Sequence, residues 1–172
     1  MLSKKYKESY RIKVYAKSTG QTSLQLVNYA VQSYNNMSKK QKDEVEKIYV
    51  IFDKDQVEAN EIEKAFIKAK GRNIDIGFSN SSFELWLLMH FKDVNIFMNQ
   101  SDLEKELEAK LNISNYHDNK GKIKLVNNFE DQIYLAMENG NKFDNNFQNN
   151  ITKNPYTNLK YIINDIYGQS NY

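Results

Sequence analysis

The stretch that most constrains this chain is a short apolar run that ends in two aspartates. Ile48-Tyr49-Val50-Ile51-Phe52 is followed directly by Asp53-Lys54-Asp55. A continuous apolar run of this length, rich in residues with high strand propensity, predicts a buried strand of a parallel sheet. Ligands of open α/β sheets bind beyond the carboxyl ends of the strands. We therefore expect Asp53 and Asp55 to lie at a binding crevice.

The chemistry of this acidic pair has two interpretations. One residue separates Asp53 from Asp55, so a strand-like backbone would point both side chains to the same side. Two close carboxylates repel, and burying either one without a partner costs roughly several kcal/mol. Mg²⁺ or Mn²⁺ would relieve this repulsion, because hard cations bind carboxylate oxygens. The alternative is a solvated acidic turn after a strand, and the residues alone leave both open.

The composition indicates one domain inside the cell. A chain of 172 residues, 40% of them hydrophobic, can close one core, so we predict a single domain over 1–172. Its net charge of +2 neither requires nor excludes nucleic acid. The lack of cysteine excludes disulfides and thiolate metal sites and suits a reducing compartment. No leader pattern opens the chain, and its longest apolar stretch is far shorter than the roughly twenty residues that span a membrane. We expect a cytoplasmic protein with no membrane partner.

The spacing of apolar residues predicts strands and helices in alternation, as α/β folds require. The predicted strands cover residues 10–15, 48–52 and 73–78. The predicted helices cover residues 24–34, 58–70, the apolar stretch that ends at 91, a stretch from 101 through 111, residues 129–138 and a last segment after Pro155. Residues 39–47 are predicted to be a charged connection, with a helix as the alternative. A polar, basic segment over 116–124 is predicted to be a loop.

Glu84 and His90 are the polar exceptions in the otherwise apolar helix that ends at Phe91. Glu84 stands three residues after Ser81, which is the spacing of a capping box. Glu84 could also be a third acidic ligand, because the first turn of a helix that follows a strand lies at the same crevice as Asp53. The two roles are compatible. His90 is either a hydrogen-bonded core histidine or a partner of the dipole at the helix C-terminus, or else a ligand or catalytic base.

Two later segments have simpler interpretations. Ser101 and Glu104 match a second capping box, which would open a scaffold helix with a leucine stripe. The basic segment 116–124 is either a solvated loop or a cover over a substrate phosphate. Its basic residues are His117, Lys120, Lys122 and Lys124.

The acidic strand end resembles the first motif of haloacid-dehalogenase-like phosphatases. In that family the residue matching Asp53 would be the nucleophile and the residue matching Asp55 the acid/base, and Ser79 resembles the second motif. No later apolar strand ends in the acidic pair that holds the magnesium of that family.

Three blocks together resemble the RloB-like family of phage-defence proteins, which carry a Toprim-like fold. The first is the strand with Asp53-Lys54-Asp55. The second is the stretch from Ser79 to Phe91, similar to Ser-Asn-Pro-x-Phe-Glu-Leu-Trp-Leu-Leu-x-His-Phe, with Ser81 in place of the usual proline. The third is Asn154-Pro155-Tyr156-Thr157, similar to the closing Asn-Pro-x-Thr.

The resemblance implies a mostly parallel Toprim-like sheet flanked by helices, with a helical C-terminal part. It implies a nuclease that uses Mg²⁺ or Mn²⁺ and acts with an ATPase of the same bacterial defence system on RNA or DNA, with a homo-oligomer as a further possibility. Asp53, Asp55 and Glu84 would be metal ligands and catalytic residues, and His90 a further catalytic residue. The candidate substrate-binding residues are Asn80, Lys120, Lys122 and Asn154.

The start of the chain departs from the family pattern. Family members open with a strand that leads into Cys-Glu-Gly-x-x-Thr-Glu, which supplies one metal-binding glutamate, and nothing here matches it. We therefore expect a chain shortened at its N-terminus relative to the family, with an incomplete metal site. A non-catalytic module that binds its ATPase or a nucleic acid is the alternative function.

Overall fold

The computed structural model describes residues 22–120, 129 and 131–168. Its strands are β1 (Ile48–Asp53), β2 (Ile74–Asn80) and β3 (Tyr156–Thr157). The helices of the first half are α1 (Ser23–Asn35), α2 (Lys39–Asp43), α3 (Ala59–Lys70) and α4 (Glu84–Leu88). Those that follow are α5 (Gln100–Leu111), α6 (Tyr116–Asn119), α7 (Ile133–Asn139), a 3₁₀ turn (Gly140–Lys142), α8 (Phe147–Asn150) and α9 (Leu159–Tyr167).

The described strands form one mixed sheet in the order β1-β2-β3, which confirms the predicted α/β class. β1 and β2 are parallel, with Asp53 opposite Ser79 at their carboxyl ends. β3 pairs antiparallel with the end of β2. The strand predicted over 10–15 lies outside the described residues.

β1 is half-buried, which corrects the prediction of a strand buried on both faces. Val50 and Phe52 are buried, whereas Ile51, which points to the opposite face, is 49% exposed. Among the residues that the structure describes, β2 is the single neighbour of β1 in the sheet. The apolar run therefore overstated how deeply this strand lies in the fold.

An aromatic cluster joins β1, β2, α3 and β3 in the core. The ring of Phe78 lies 5.9 Å from that of Phe52 and 6.4 Å from that of Phe66, both edge-to-face. On the other side its centroid is 6.2 Å from that of Tyr156. These contacts, together with the buried Ile62 of α3, fix the helix against the sheet and so position the loop after β1.

Most predicted helices are confirmed, with shifted ends. Thr22 caps α1 through a capping box with Gln25. The helix predicted to end at Phe91 shortens to α4, followed by turns, and its Leu85, Trp86 and Leu88 are buried as expected. Among the described residues, no helix combines the length and apolar character that crossing a membrane would require.

Candidate active site

Asp53 lies at the carboxyl end of β1, facing the first turn of α4. The backbone N–H of Phe83 donates a hydrogen bond to its carboxylate, while Glu84 and Asp55 add negative charge nearby and Lys120 adds positive charge. Burial is the main cause that raises the pKa of Asp53 to about 7, and the charge of Glu84 acts in the same direction. Asp53 therefore keeps its proton to a much higher pH than an ordinary aspartate does.

Asp55 does not follow the strand geometry expected from the sequence. β1 ends at Asp53, and Asp55 is exposed with a left-handed φ of 43°. Its backbone N–H donates to the carbonyl of Ser81 at 3.2 Å, and the N–H of Lys54 donates to the carbonyl of Ser79 at 2.9 Å. The loop after β1 is thus tied to the end of β2, and the two aspartates occupy different environments.

Glu84 is a buried site residue, and the predicted capping box with Ser81 is wrong. The Ser81 hydroxyl donates to the carbonyl of Met98 at 3.1 Å, and α4 begins after Phe83 without a side-chain cap. Glu84 is 6% exposed and lies 3.5 Å from the hydroxyl of Tyr116 and 3.5 Å from the ammonium of Lys120. Because it takes no part in a capping box, the carboxylate of Glu84 is available to the crevice, where its charge acts on Asp53.

A second buried glutamate, Glu104 on α5, extends the cluster. The capping box predicted for it with Ser101 is also wrong, because Asn99 caps α5 by accepting the N–H of Asp102 at 2.9 Å. The carboxylate of Glu104 accepts hydrogen bonds from Lys120 at 2.9 Å and from Nδ1 of His117 at 2.9 Å. Lys120 therefore bridges the carboxylates of Glu84 and Glu104.

The charge of this pair of glutamates is balanced within the chain. Burial alone would raise the pKa of Glu104, but hydrogen bonds from Lys120 and His117 outweigh it and hold the pKa below its ordinary value. Burial alone would lower the pKa of Lys120, but its contacts with Glu104 and Glu84 outweigh this effect and raise the pKa above its ordinary value. Burial, with the charge of Glu84, raises the pKa of Tyr116. At neutral pH the cluster thus contains an ionised Glu104 and a charged Lys120.

The residue types suit a hard divalent cation, although the described residues do not form a preformed group for one. Carboxylate oxygens of Asp53, Asp55 and Glu84 are the ligands that Mg²⁺ and Mn²⁺ prefer. Within the part of the chain that the structure describes, however, no three acidic or histidine side chains are grouped closely enough to hold a metal ion. The cation beside Glu84 is the ammonium of Lys120.

His90 has the core role that the sequence left open. Its Nδ1–H donates to the carbonyl of Trp86 at 2.9 Å, and its ring packs edge-on against Trp86 and Phe129. Burial lowers its pKa. These contacts assign His90 to the aromatic core behind α4, and the structure does not bring it together with Asp53.

The candidate substrate-binding residues separate in the structure. Asn80 is 5% exposed and donates to the carbonyl of Lys153 at 2.7 Å. Asn154 bonds both backbone groups of Met98, accepting at 3.3 Å and donating at 3.0 Å. Both amides thus connect loops, whereas Lys120 joins the acidic cluster. Lys122 lies outside the described residues.

The sequence did not identify Tyr116 as a site residue; it assigned Glu104 only to a capping box and His117 only to a basic segment that could cover a phosphate. Two signals were available. Glu104 borders the stripe of Leu103, Leu107 and Leu111, so it had to lie at the edge of the helix interface. His117 and Lys120 are three residues apart, the spacing that places two side chains on one face of a helical turn.

The fold and the site together define an α/β protein with an acidic cluster at the carboxyl ends of two parallel strands. The family model described as RloB-like protein matches residues 2–166. The chain belongs to the RloB-like family. A search of the curated proteins and a search of the solved structures each found no match.

Proposed function

We propose that this protein acts in phage defence as a nuclease-type component that cleaves nucleic acid together with an ATPase of the same system. Membership of the RloB-like family is compatible with a phage-defence role. The observation that carries the nuclease part is the approach of Asp53 and Glu84 at the carboxyl ends of β1 and β2, where Lys120 adds a positive charge. At this edge of the sheet, the ammonium of Lys120 could bind a phosphate and the carboxylates could act as general acids or bases.

The proposal retains Mg²⁺ or Mn²⁺ as the cofactor that the family resemblance implies. When bound, such an ion would neutralise charge on a phosphodiester. Because Lys120 lies beside Glu84 in the described arrangement, we expect the Lys120–Glu84 ion pair to separate when the cation binds. The Toprim-like fold and a cytoplasmic location are part of the same proposal.

The test compares cleavage of single-stranded DNA, duplex DNA and RNA by wild type and by Asp53→Ala/Glu84→Gln, with Mn²⁺, with Mg²⁺ and with EDTA. Cleavage by wild type that needs the metal and is lost in the variant supports the proposal. Asp75→Asn is a matched control, because Asp75 pairs with Lys47 at the opposite end of β2. Wild-type protein that cleaves none of these substrates, alone or with its ATPase, would contradict the nuclease assignment.

A non-catalytic binding module is the second candidate, and one observation favours it. Lys120 already balances both buried glutamates, as expected for a site that serves stability rather than chemistry. Under this alternative, Asp53→Ala/Glu84→Gln would keep binding to the ATPase and to nucleic acid, and neither form would cleave. The phosphatase alternative has less support, because Ser79 is 1% exposed and bonds Thr157.

A further inference from the structure

His117 is held by a buried carboxylate in the manner of a catalytic dyad. Its Nδ1 lies 2.9 Å from one oxygen of Glu104 and 3.2 Å from the other. The two side chains differ in exposure, with 71% for His117 and 11% for Glu104. The carboxylate is therefore inside the fold while the imidazole reaches into solvent.

This contact decides which nitrogen of His117 is available. A carboxylate can only accept, and its hydrogen bonds keep Glu104 ionised, so Nδ1 must be the donor. The proton on Nδ1 leaves Nε2 as the free acceptor of the neutral ring. An acidic partner on Nδ1 and an open Nε2 is the arrangement by which many hydrolases orient a general base.

The carboxylate of Glu104 is held by more hydrogen bonds than the one from His117. The amide of Gln100 donates to it at 3.1 Å, and Lys120 donates to it at 2.9 Å. Lys120 in turn lies 3.5 Å from Glu84, the neighbour of Asp53. His117 is thus connected to the acidic crevice by a continuous chain of ionic contacts.

We infer that His117 is a catalytic residue of the site and that Glu104 is its positioning residue, with a nucleic-acid phosphodiester as substrate. This inference rests on the proposed function and adds a proton-transfer group to it. Nε2 of His117 accepts the proton of a water molecule as the water oxygen bonds to phosphorus. The bond from phosphorus to the leaving sugar oxygen breaks, and that oxygen keeps the electron pair and takes a proton from solvent.

The first experiment measures the tautomer of the neutral His117 ring by ¹⁵N NMR of the intact protein at alkaline pH. We expect the proton on Nδ1 in wild type and a shift of the population toward Nε2 in Glu104→Gln. The matched control is Glu106→Gln, since Glu106 lies on the same helix but pairs with Lys92 at 2.7 Å. A wild-type ring protonated mainly on Nε2 would overturn the inference.

The second experiment measures cleavage rates against pH for the same proteins and for His117→Ala. The exposed imidazole can be removed without opening the core, and we expect its loss to slow cleavage about 100-fold and to remove one limb of the pH profile. Glu104→Gln should slow cleavage about tenfold and displace that limb, while Glu106→Gln should follow wild type.

The outcomes separate the inference from the proposed function. Cleavage by His117→Ala within about twofold of wild type, with an unchanged pH profile, would overturn the inference and leave the nuclease assignment standing. Wild-type protein that cleaves no nucleic acid would overturn both. Loss of activity in His117→Ala that is accompanied by loss of its folded circular dichroism signal would also count against a catalytic role.

Discussion

The ammonium of Lys120 lies 3.5 Å from the carboxylate of Glu84, on the side of the fold where β1 and β2 end. The same ammonium is 2.9 Å from Glu104. A side chain of the protein therefore occupies the position that a cation would take beside these buried carboxylates. We therefore expect this contact to compete with a metal ion for the carboxylates of the site.

Lys120→Met should increase the affinity for Mn²⁺. The substitution removes the competing charge and leaves Glu84 and Glu104 to be balanced by an added cation, so we expect a dissociation constant about tenfold lower, or about 1.4 kcal/mol. Calorimetric titration with Mn²⁺ measures it. Lys92→Met is the control, because Lys92 pairs with the part-exposed Glu106. Equal affinity in wild type and Lys120→Met would show that Lys120 does not compete with the metal.

Asp53→Asn should stabilise the metal-free protein at alkaline pH. The pKa of Asp53 is about 7 in the fold against an ordinary 3.8, so folding favours its protonated form. The penalty of ionising it is absent well below pH 4, grows between pH 4 and pH 7, where only the unfolded chain has lost the proton, and is complete above pH 8. We expect the variant to gain about 1 to 3 kcal/mol in free energy of unfolding at pH 8.5 and much less at pH 4.5. Urea denaturation at the two pH values checks this, and a gain that is the same at both would contradict it.

Asn158→Ala should destabilise the fold strongly. Asn158 is 4% exposed, accepts the N–H of Phe78 at 2.7 Å and donates to the carbonyl of Ile76 at 2.8 Å. Its loss leaves two buried backbone groups of β2 without partners, which costs about 2 to 4 kcal/mol. Denaturant unfolding measures this cost. Asn145→Ala, in an exposed loop, should change stability by less than about 0.5 kcal/mol.

Gly77→Ala should weaken the packing of α9 on the sheet. A Cβ at this position would lie 2.9 Å from Cδ2 of Leu159 and 3.0 Å from Cγ1 of Ile51, so both side chains must shift. We expect a loss of about 1 to 3 kcal/mol, measured as a lower thermal midpoint. Gly71→Ala is the control, since its nearest atoms would be 3.7 Å away and its φ of −69° suits alanine. A midpoint for Gly77→Ala equal to that of wild type would show that α9 adjusts freely.

The sequence predicted the elements that local rules control. A run of strand-forming residues ending at Asp53 predicted β1, and the three- and four-residue spacing of apolar side chains predicted α1 and α3. Thr22 caps α1 through its contact with Gln25, three residues away. These signals are short-range, because propensity, periodicity and capping depend on residues within about one or two turns.

The same local rules failed where a side chain had a better partner elsewhere in the fold. Ser81 bonds the carbonyl of Met98, and Glu104 bonds His117 and Lys120, so neither takes part in the capping box that its spacing predicts. Leaving a buried carboxylate without a cation raises the free energy of the fold more than leaving a backbone N–H at a helix end without a side-chain cap. The ionic contacts of Glu104 therefore outweigh the capping box.

By itself the sequence determined the α/β class, the acidic end of β1, and the family blocks around Asp53 and Glu84. Only the tertiary structure decided that Lys120 and Glu104 complete the cluster, that His117 contacts Glu104, and that His90 lies in the aromatic core. The physical reason is that ion pairs between distant residues depend on how α5 and α6 pack beside α4. That packing is the sum of many apolar contacts, and no single motif encodes it.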